Sequence, residues 1–279
     1  MSVPVGPAFV GPAFQAGRWD ERIARARSLA EVASPASAIL TFYADLARYQ
    51  QTMAGSIRPP DLLAAVDPAS AALPAFLEWL QDHAPLALAR AAAEGASVPS
   101  GDWRQLLRQR LEEGSLDEDG PAAFVVEAVL QPFVEAVFHS VRLKPDTTAG
   151  PVRLTPDITG DANCPACGSH PVAAALREEG HGARRSLVCA LCFAEWDYLR
   201  IQCPACKENR FDALPVYTAD TSANARIDAC DSCRTYIKTI DLTKDGLAVP
   251  AVDDLATLPL DLWAREREYR RLYPNLLRL

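Results

Sequence analysis

Four Cys-x-x-Cys pairs constrain the fold of this chain more than any other feature. They contain all eight cysteines of the 279-residue sequence, and they are Cys164/Cys167, Cys189/Cys192, Cys203/Cys206 and Cys230/Cys233. Two thiolates at this spacing can face one ion, so two pairs make one tetrahedral four-thiolate site. The sequence therefore predicts two metal sites that need no histidine.

Two other interpretations of paired cysteines suit this chain less well. Disulfide frameworks are typical of small secreted domains, and the proline-interrupted start of this chain does not resemble a signal peptide. A thioredoxin-like redox motif needs one Cys-x-x-Cys at the start of a helix in a βαβ unit, a setting that is not repeated four times here. The cysteines therefore favour metal ligation.

The cysteine region is an internal repeat, because Cys164-Pro165-Ala166-Cys167 returns as Cys203-Pro204-Ala205-Cys206. Each copy leads through an apolar run into a second pair, which predicts an antiparallel β-ribbon with a knuckle at each pair. The repeat favours a sequential grouping of Cys164, Cys167, Cys189 and Cys192 as site one and of Cys203, Cys206, Cys230 and Cys233 as site two. The alternative is a cross-braced grouping of the first pair with the third and the second with the fourth.

Four thiolates around one ion suit a structural zinc and equally suit a single iron of the rubredoxin type. Such a site has no open coordination position, so it is a poor Lewis-acid catalyst. The rest of the sequence shows no catalytic constellation. We therefore expect a protein that is not an enzyme.

Apolar periodicity and the placement of Pro and Gly divide the chain into four parts and predict an α+β protein. The parts are a non-helical arm at 1–18 with a repeated Val-Gly-Pro-Ala-Phe, a helical bundle domain at 19–150, a tandem rubredoxin-like metal-binding domain at 151–245 and a C-terminal helical segment at 246–279. Within the third part, unit one covers about 160–202 and unit two about 203–245.

Three patterns concern individual helices. Leu73-Pro74 is typical of a helix start. The segment from Gly120 to Val141 is the most apolar of the chain, but polar residues recur every four positions on another face, which favours a central bundle helix over a membrane helix. The last segment predicts one amphipathic helix that packs back on the protein. The polar residues of the central helix are Glu127, Gln131 and Glu135, and the apolar residues of the last helix are Leu260, Trp263, Tyr269, Leu272 and Tyr273.

The charge balance argues against nucleic acid as a partner. The chain has 36 acidic and 28 basic residues, for a net charge of −8, and four thiolates on a divalent ion add further negative charge. No long basic stripe is available to follow a phosphate backbone. With neither a signal peptide nor a membrane span expected, the sequence predicts a folded cytoplasmic protein without membrane insertion.

Two motifs around the cysteines resemble those of the FdhE-type formate dehydrogenase accessory proteins. The first runs from Gly182 to Trp196 and continues to the Cys203-Pro204-Ala205-Cys206 pair, and the second runs from Asp228 to Asp241. The resemblance implies a cytoplasmic protein that acts on the catalytic subunit of respiratory formate dehydrogenase before export, and that is not itself the dehydrogenase. It also implies two rubredoxin-like sites that bind iron, so iron becomes the first choice of metal and zinc the second.

Two other functions use the same cysteines. One is a small redox or electron-transfer protein with rubredoxin-type iron, and the other is a zinc-ribbon interaction module unrelated to formate dehydrogenase.

Candidates for partner contact surround the pair Cys189/Cys192, where charged and aromatic residues alternate along a predicted strand. They are Arg184, Arg185, Glu195, Tyr198 and Arg200. The competing interpretation is structural, with Trp196 covering the metal site and Arg200 paired with an acidic neighbour. His170 is expected to be a loop residue and not a metal ligand.

Overall fold

The computed structural model describes residues 19–32, 35–96, 98–116, 120–141, 162–180, 182–220 and 222–278, without the side chains of 139–141. The predicted non-helical arm and its pentapeptide repeat lie outside the described residues. The predicted boundary near residue 150 also lies outside them.

The described residues of the first half form helices that bury their apolar faces against one another. These helices are α1 (Trp19–Glu31), α2 (Ser37–Ala54), α3 (Val66–His83), α4 (Leu86–Gly95), α5 (Ser100–Glu113) and α6 (Pro121–Val141). Leu40, Leu46, Phe76, Leu80 and Phe133 are fully buried in the core between them. The predicted helical N-terminal region is therefore confirmed.

Helix α3 begins seven residues before the helix start that the sequence predicted, at Val66 instead of Leu73. Pro68 lies in the first turn, where backbone N–H groups have no intrahelical partner, so it is tolerated there. Pro74 lies in the helix interior and costs one backbone hydrogen bond. Burial of Val66 and Leu73 on one continuous apolar face offsets that cost.

Helix α6 lies at the centre of the bundle. Among the described residues it is the one helix long and apolar enough to cross a membrane. Its apolar segment Pro121–Phe138 is 83% buried within the protein. Pro132 has no N–H to donate to the carbonyl of Ala128, but the side-chain amide of Gln50 donates to that carbonyl at 2.7 Å. The helix therefore continues through its proline with the freed carbonyl satisfied.

The cysteine-rich half forms one sheet instead of two separate ribbons. Its strands are β1 (Pro171–Glu179), β2 (Gly182–Cys189), β3 (Glu195–Asp197), β4 (Val216–Thr218), β5 (Ala225–Cys230) and β6 (Thr235–Asp241), in the spatial order β3-β2-β1-β6-β5-β4. Within each repeat the strands pair antiparallel. The two repeats join through parallel pairing of β1 with β6, where Ala174 lies opposite Thr239 and Leu176 opposite Asp241.

The C-terminal segment contains two short helices, α7 (Pro250–Ala256) and α8 (Leu258–Glu266), followed by strand β7 (Arg270–Arg271), which pairs with β6. The sequence predicted one helix that extended to Tyr273. Thr257, with φ of −108° and ψ of 38°, separates α7 from α8, and Pro259 lies in the first turn of α8, where a proline is tolerated. Glu268 adopts a left-handed conformation, with φ of 61°, and ends the helical path.

A buried ion network holds this segment against the sheet. The Lys238 ammonium lies 2.6 Å from a carboxylate oxygen of Asp261 and 3.2 Å from one of Asp254. Arg271 pairs with both carboxylates and also donates to the carbonyl of Val172 at 3.3 Å. Two cations thus face two anions, and this balance permits their burial.

Candidate metal centres

The eight cysteines lie in two clusters, each formed by the two pairs of one repeat. The four Sγ atoms of Cys164, Cys167, Cys189 and Cys192 lie within 4.8 Å of one another, as do those of Cys203, Cys206, Cys230 and Cys233. In both clusters the first cysteine of one pair faces the second cysteine of the other. The facing Sγ atoms are 3.6 and 3.4 Å apart in the first cluster and 3.7 Å apart, twice, in the second.

These distances fit a tetrahedral ion. Zinc–sulfur bonds of about 2.3 Å place the corners of a tetrahedron about 3.8 Å apart. A disulfide would require sulfur atoms about 2 Å apart, and the eight cysteines are free. The donor set therefore suits zinc or iron, and each cluster is capable of holding one metal ion.

Each knuckle turns through a left-handed residue directly after its second cysteine. These residues are Gly168, Phe193, Lys207 and Arg234, with φ of 74°, 55°, 63° and 58°. In three of the knuckles the amide of that residue donates to the carbonyl of the first cysteine, at 2.8, 3.0 and 2.8 Å. Side chains other than glycine rarely adopt this backbone conformation. The same turn at all four pairs therefore explains how the repeat positions its thiols.

Hydrogen bonds make the thiols of the first cluster unequal. Burial opposes ionisation of Cys189, but hydrogen bonds from its three neighbouring thiols and from the Cys192 amide outweigh burial and lower the pKa of Cys189 well below its ordinary value. The amides of Leu191 and Cys192 lie 3.3 and 3.4 Å from its Sγ atom. Burial and the adjacent thiols raise the pKa of Cys192. Four thiolates can form together only when a cation balances their charge.

The first cluster is enclosed by the helical half. Its four cysteines are each at most 4% exposed. The Arg110 guanidinium on α5 donates to the hydroxyl of Ser169, which follows the first knuckle, at 2.7 Å. Gln131 on α6 donates to the carbonyl of Ala190, within the second knuckle, at 2.9 Å. Both knuckles of this cluster are thus held by side chains from the helices.

The polar residues of α6 explain how these contacts can be buried. Glu127 forms an ion pair with Arg110 at 2.9 Å and accepts a hydrogen bond from Tyr273 of the C-terminal segment. Glu135 pairs with Arg22 at 2.9 Å, and the Arg22 guanidinium lies 4.2 Å from the ring centroid of Phe193. The recurring polar residues on α6 were visible in the sequence. Their partners, which come from five other parts of the chain, were not.

The second cluster lies at the protein surface. Cys206 is exposed and Cys233 is half-buried, whereas Cys203 and Cys230 are buried. Its two knuckles are linked by the hydroxyl of Ser232, which donates to the Glu208 carboxylate at 2.7 Å.

The predicted partner-contact residues occupy two different environments. Arg184 pairs with Asp197 at 3.2 Å on the surface, and Arg200 is exposed, donating to a backbone carbonyl in β2. Glu195 binds Arg177 through two hydrogen bonds of 2.8 and 2.7 Å.

Arg185 and Tyr198 are buried, and they hold the connection between the two clusters. Arg185 donates to the carbonyls of Leu199 and Gln202 at 3.1 and 3.0 Å, and the Tyr198 hydroxyl donates to the carbonyl of Cys203 at 3.4 Å. Burial lowers the pKa of Arg185.

His170 is not a member of either four-cysteine cluster. Its ring centroid lies 5.2 Å from that of Tyr273, and its carbonyl accepts a hydrogen bond from the Ala190 amide at 3.0 Å. The residue thus packs between the first cluster and the C-terminal segment.

The fold and the clusters define a class of protein in which a helical domain packs on a sheet that carries two four-cysteine sites. Family models place this chain more narrowly: the FdhE central domain matches residues 163–200 and the FdhE C-terminal domain matches residues 201–278. These two ranges contain all eight cysteines. Over residues 163–278, about two fifths of its length, the chain therefore matches the FdhE family, as the motifs indicated.

Curated relatives support the same assignment. The chain is 39% identical over 116 residues to the protein FdhE homolog of Aquifex aeolicus, which is 41% of this chain and 41% of that protein. It is 41% identical over 119 residues to the FdhE homolog of Pseudomonas aeruginosa, covering 41% of this chain and 38% of the relative. These sequence matches thus span about two fifths of the relatives' length.

The fold extends beyond the matched sequence. The crystal structure of the FdhE protein from Pseudomonas aeruginosa superposes with a TM-score of 0.71, covering 97% of this chain and 98% of that one at 24% identity. The helical half therefore has the same fold as that protein, although its sequence is weakly related.

Proposed function

We propose that this protein is an accessory factor for the maturation of respiratory formate dehydrogenase and that it binds the catalytic subunit of that enzyme. The observation that carries the proposal is the match of residues 163–278 to the FdhE central and C-terminal domains, with both four-cysteine clusters inside the matched region. The proposed site of action is the cytoplasm, before the dehydrogenase is exported.

The eight cysteines are the proposed ligands of two metal ions. Iron is the preferred metal and zinc the alternative, since both accept four thiolates in a tetrahedral arrangement. Bound iron would supply a redox-capable centre, whereas bound zinc would supply stability alone. With all four ligands from the protein, neither site keeps a position for substrate, so the proposed role is not enzymatic.

The region around β2 and β3 is the proposed contact surface for the catalytic subunit. Arg184 and Arg200 are the candidates that reach its surface. Arg185 and Tyr198 would support this surface from within, because they hold the loop that carries Arg200.

Deletion and complementation test the proposal. We expect cells without this protein to produce inactive formate dehydrogenase, and the full chain to restore its activity and to copurify with the catalytic subunit under anaerobic conditions. Cys189→Ser combined with Cys230→Ser should fail to restore activity, whereas Ser56→Ala, at an exposed position outside both clusters, should restore it. Normal dehydrogenase activity in the deletion strain would refute the role.

A redox function is the second candidate, and the exposure of Cys206 in the second cluster favours it. Protein loaded with iron without oxygen should then show a thiolate-to-iron visible band that disappears and returns on reduction and reoxidation. A chain that contains two colourless zinc ions under anaerobic, iron-replete conditions would argue against this candidate.

A further inference from the structure

The two clusters have the same donor atoms but differ in their access to solvent. In the first cluster all four cysteines are at most 4% exposed. In the second, Cys206 is exposed and Cys233 is half-buried. A reagent in solution can therefore touch a ligand of the second cluster without any movement of the protein.

The first cluster is covered in part by the helical half, which contacts both of its knuckles. Gly114, at the end of α5, approaches the first knuckle so closely that an added Cβ atom would lie 2.9 Å from the Gly168 carbonyl oxygen. Arg110 and Gln131 are themselves buried, and they hydrogen-bond to the two knuckles. Breaking this interface would leave buried charged and polar groups without partners, which makes such opening costly.

The surroundings of the second cluster are open. A cavity of about 230 Å³ is lined in part by Cys203 and Cys230. Its rim includes Phe211 and Ile201, which are 80% and 49% exposed. The cluster can thus be approached directly at Cys206, with open space beside the buried Cys203 and Cys230.

We propose that the second cluster is an exchangeable metal centre and that the first is a permanent structural centre. The inference rests on the proposed binding of metal by both clusters. Exchange begins at Cys206: a donor atom of an incoming ligand forms a bond to the metal as the metal–sulfur bond to Cys206 breaks. The remaining thiolates are replaced in the same way, the metal leaves with the new ligand, and the freed thiolates take up protons from water. No change of oxidation state is involved.

The consequence for function is a division of roles. The first metal would hold together the two knuckles to which Arg110 and Gln131 bind, and it would remain bound throughout the life of the protein. The second would be the metal that a partner protein or a small thiol can reach, remove or deliver. A maturation factor that senses or handles metal would do so through Cys203, Cys206, Cys230 and Cys233.

Metal release from the zinc-loaded full chain tests the proposal. With excess 4-(2-pyridylazo)resorcinol as chelator, we expect two phases of equal amplitude, one zinc each, with rate constants that differ about ten-fold or more. Release of both metals in one phase would overturn the inference while leaving the metal-binding proposal intact. A chain that takes up no zinc would overturn the metal-binding proposal itself.

Two further measurements assign the phases. In Cys206→Ser the fast phase should be lost and the slow phase should keep its rate constant. Mass mapping of the wild-type chain after brief iodoacetamide treatment should find Cys206 modified first and the four cysteines of the first cluster protected. Persistence of the fast phase in the variant, or early modification of the first cluster, would reverse the assignment.

Discussion

The side-chain amide of Gln131 donates a hydrogen bond of 2.9 Å to the carbonyl of Ala190. Gln131 lies on the central helix of the bundle, and Ala190 lies between two cysteines of the first cluster. This bond therefore joins the core of the helical half to the proposed metal centre of the cysteine-rich half. Gln131 is 1% exposed, and its amide oxygen accepts a hydrogen bond from Gln50 at 3.1 Å. The two halves are therefore coupled through a buried polar contact as well as through apolar packing.

Replacing Gln131 with Met should destabilise the protein by about 1–3 kcal/mol, because the buried Ala190 carbonyl would lose its donor without access to water. Urea unfolding, followed by circular dichroism, measures the change. Gln105→Met, at an exposed position of α5, is the matched control and should change stability by less than about 0.5 kcal/mol. Equal effects of the two substitutions would refute the role of this contact.

Gln50 and Pro132 should show coupled effects. Gln50→Leu removes the donor to the Ala128 carbonyl, and we expect a loss of about 1–3 kcal/mol. Pro132→Ala restores a backbone N–H that can donate to the same carbonyl, so the double variant should recover part of that loss. A double-mutant cycle of unfolding free energies tests this, and strict additivity would contradict it.

Gly114→Ala should weaken the contact between α5 and the first knuckle. The residue has φ of 73°, and the new Cβ atom would lie 2.9 Å from the Gly168 carbonyl oxygen, so we expect a loss of about 1–3 kcal/mol. Gly101→Ala, in the first turn of α5 with nothing within 4 Å of its Cβ position, should instead stabilise by up to about 1 kcal/mol. Thermal unfolding of both variants provides the comparison.

Acid should weaken the attachment of the C-terminal segment. Burial favours the neutral acid of Asp254, but Arg271 and Lys238 outweigh burial and hold its pKa below the ordinary value. The unfolded chain then binds the proton more tightly, so this contribution to stability is present above about pH 4 and is lost as pH falls through the depressed pKa. In Asp254→Asn, stability at pH 7 should fall and the decline of Tm between pH 7 and pH 3 should become shallower. Asp212→Asn, an exposed control, should keep the wild-type pH dependence.

Substitution of Cys189 should affect more than its own cluster. Cys189→Ser should remove one metal per chain and also lower the stability of the helical half, because the first cluster shares a core with the helices. His170→Ala should leave both metals in place, since His170 is not a member of either cluster. Native mass spectrometry reports the metal content, and loss of a metal from the histidine variant would contradict this placement.

The repeated cysteine motifs made part of the structure predictable from the sequence. The Cys-x-x-Cys spacing and the repeated Cys-Pro-Ala-Cys led to the expectation of two four-cysteine clusters on β-ribbons, because a knuckle needs only the few residues around it to position two thiols. The apolar periodicity of the first half likewise predicted helices. The prediction at Leu73-Pro74 was wrong, because burial of the face that begins at Val66 outweighed the local signal of proline.

The sequence by itself determined the donor atoms and the helical character of the first half, since each depends on residues close together in the chain. It favoured the grouping of the cysteines by repeat, and the structure decided for that grouping over the cross-braced one. Only the tertiary structure decided that the first cluster is enclosed and the second exposed, because side chains of α5 and α6 bind the knuckles of the first cluster. It also decided the partners of Glu127, Gln131 and Lys238, which come from distant segments. The sequence does not reveal whether a charged or polar residue will be buried beside a partner, because that depends on which surfaces the folded chain brings together.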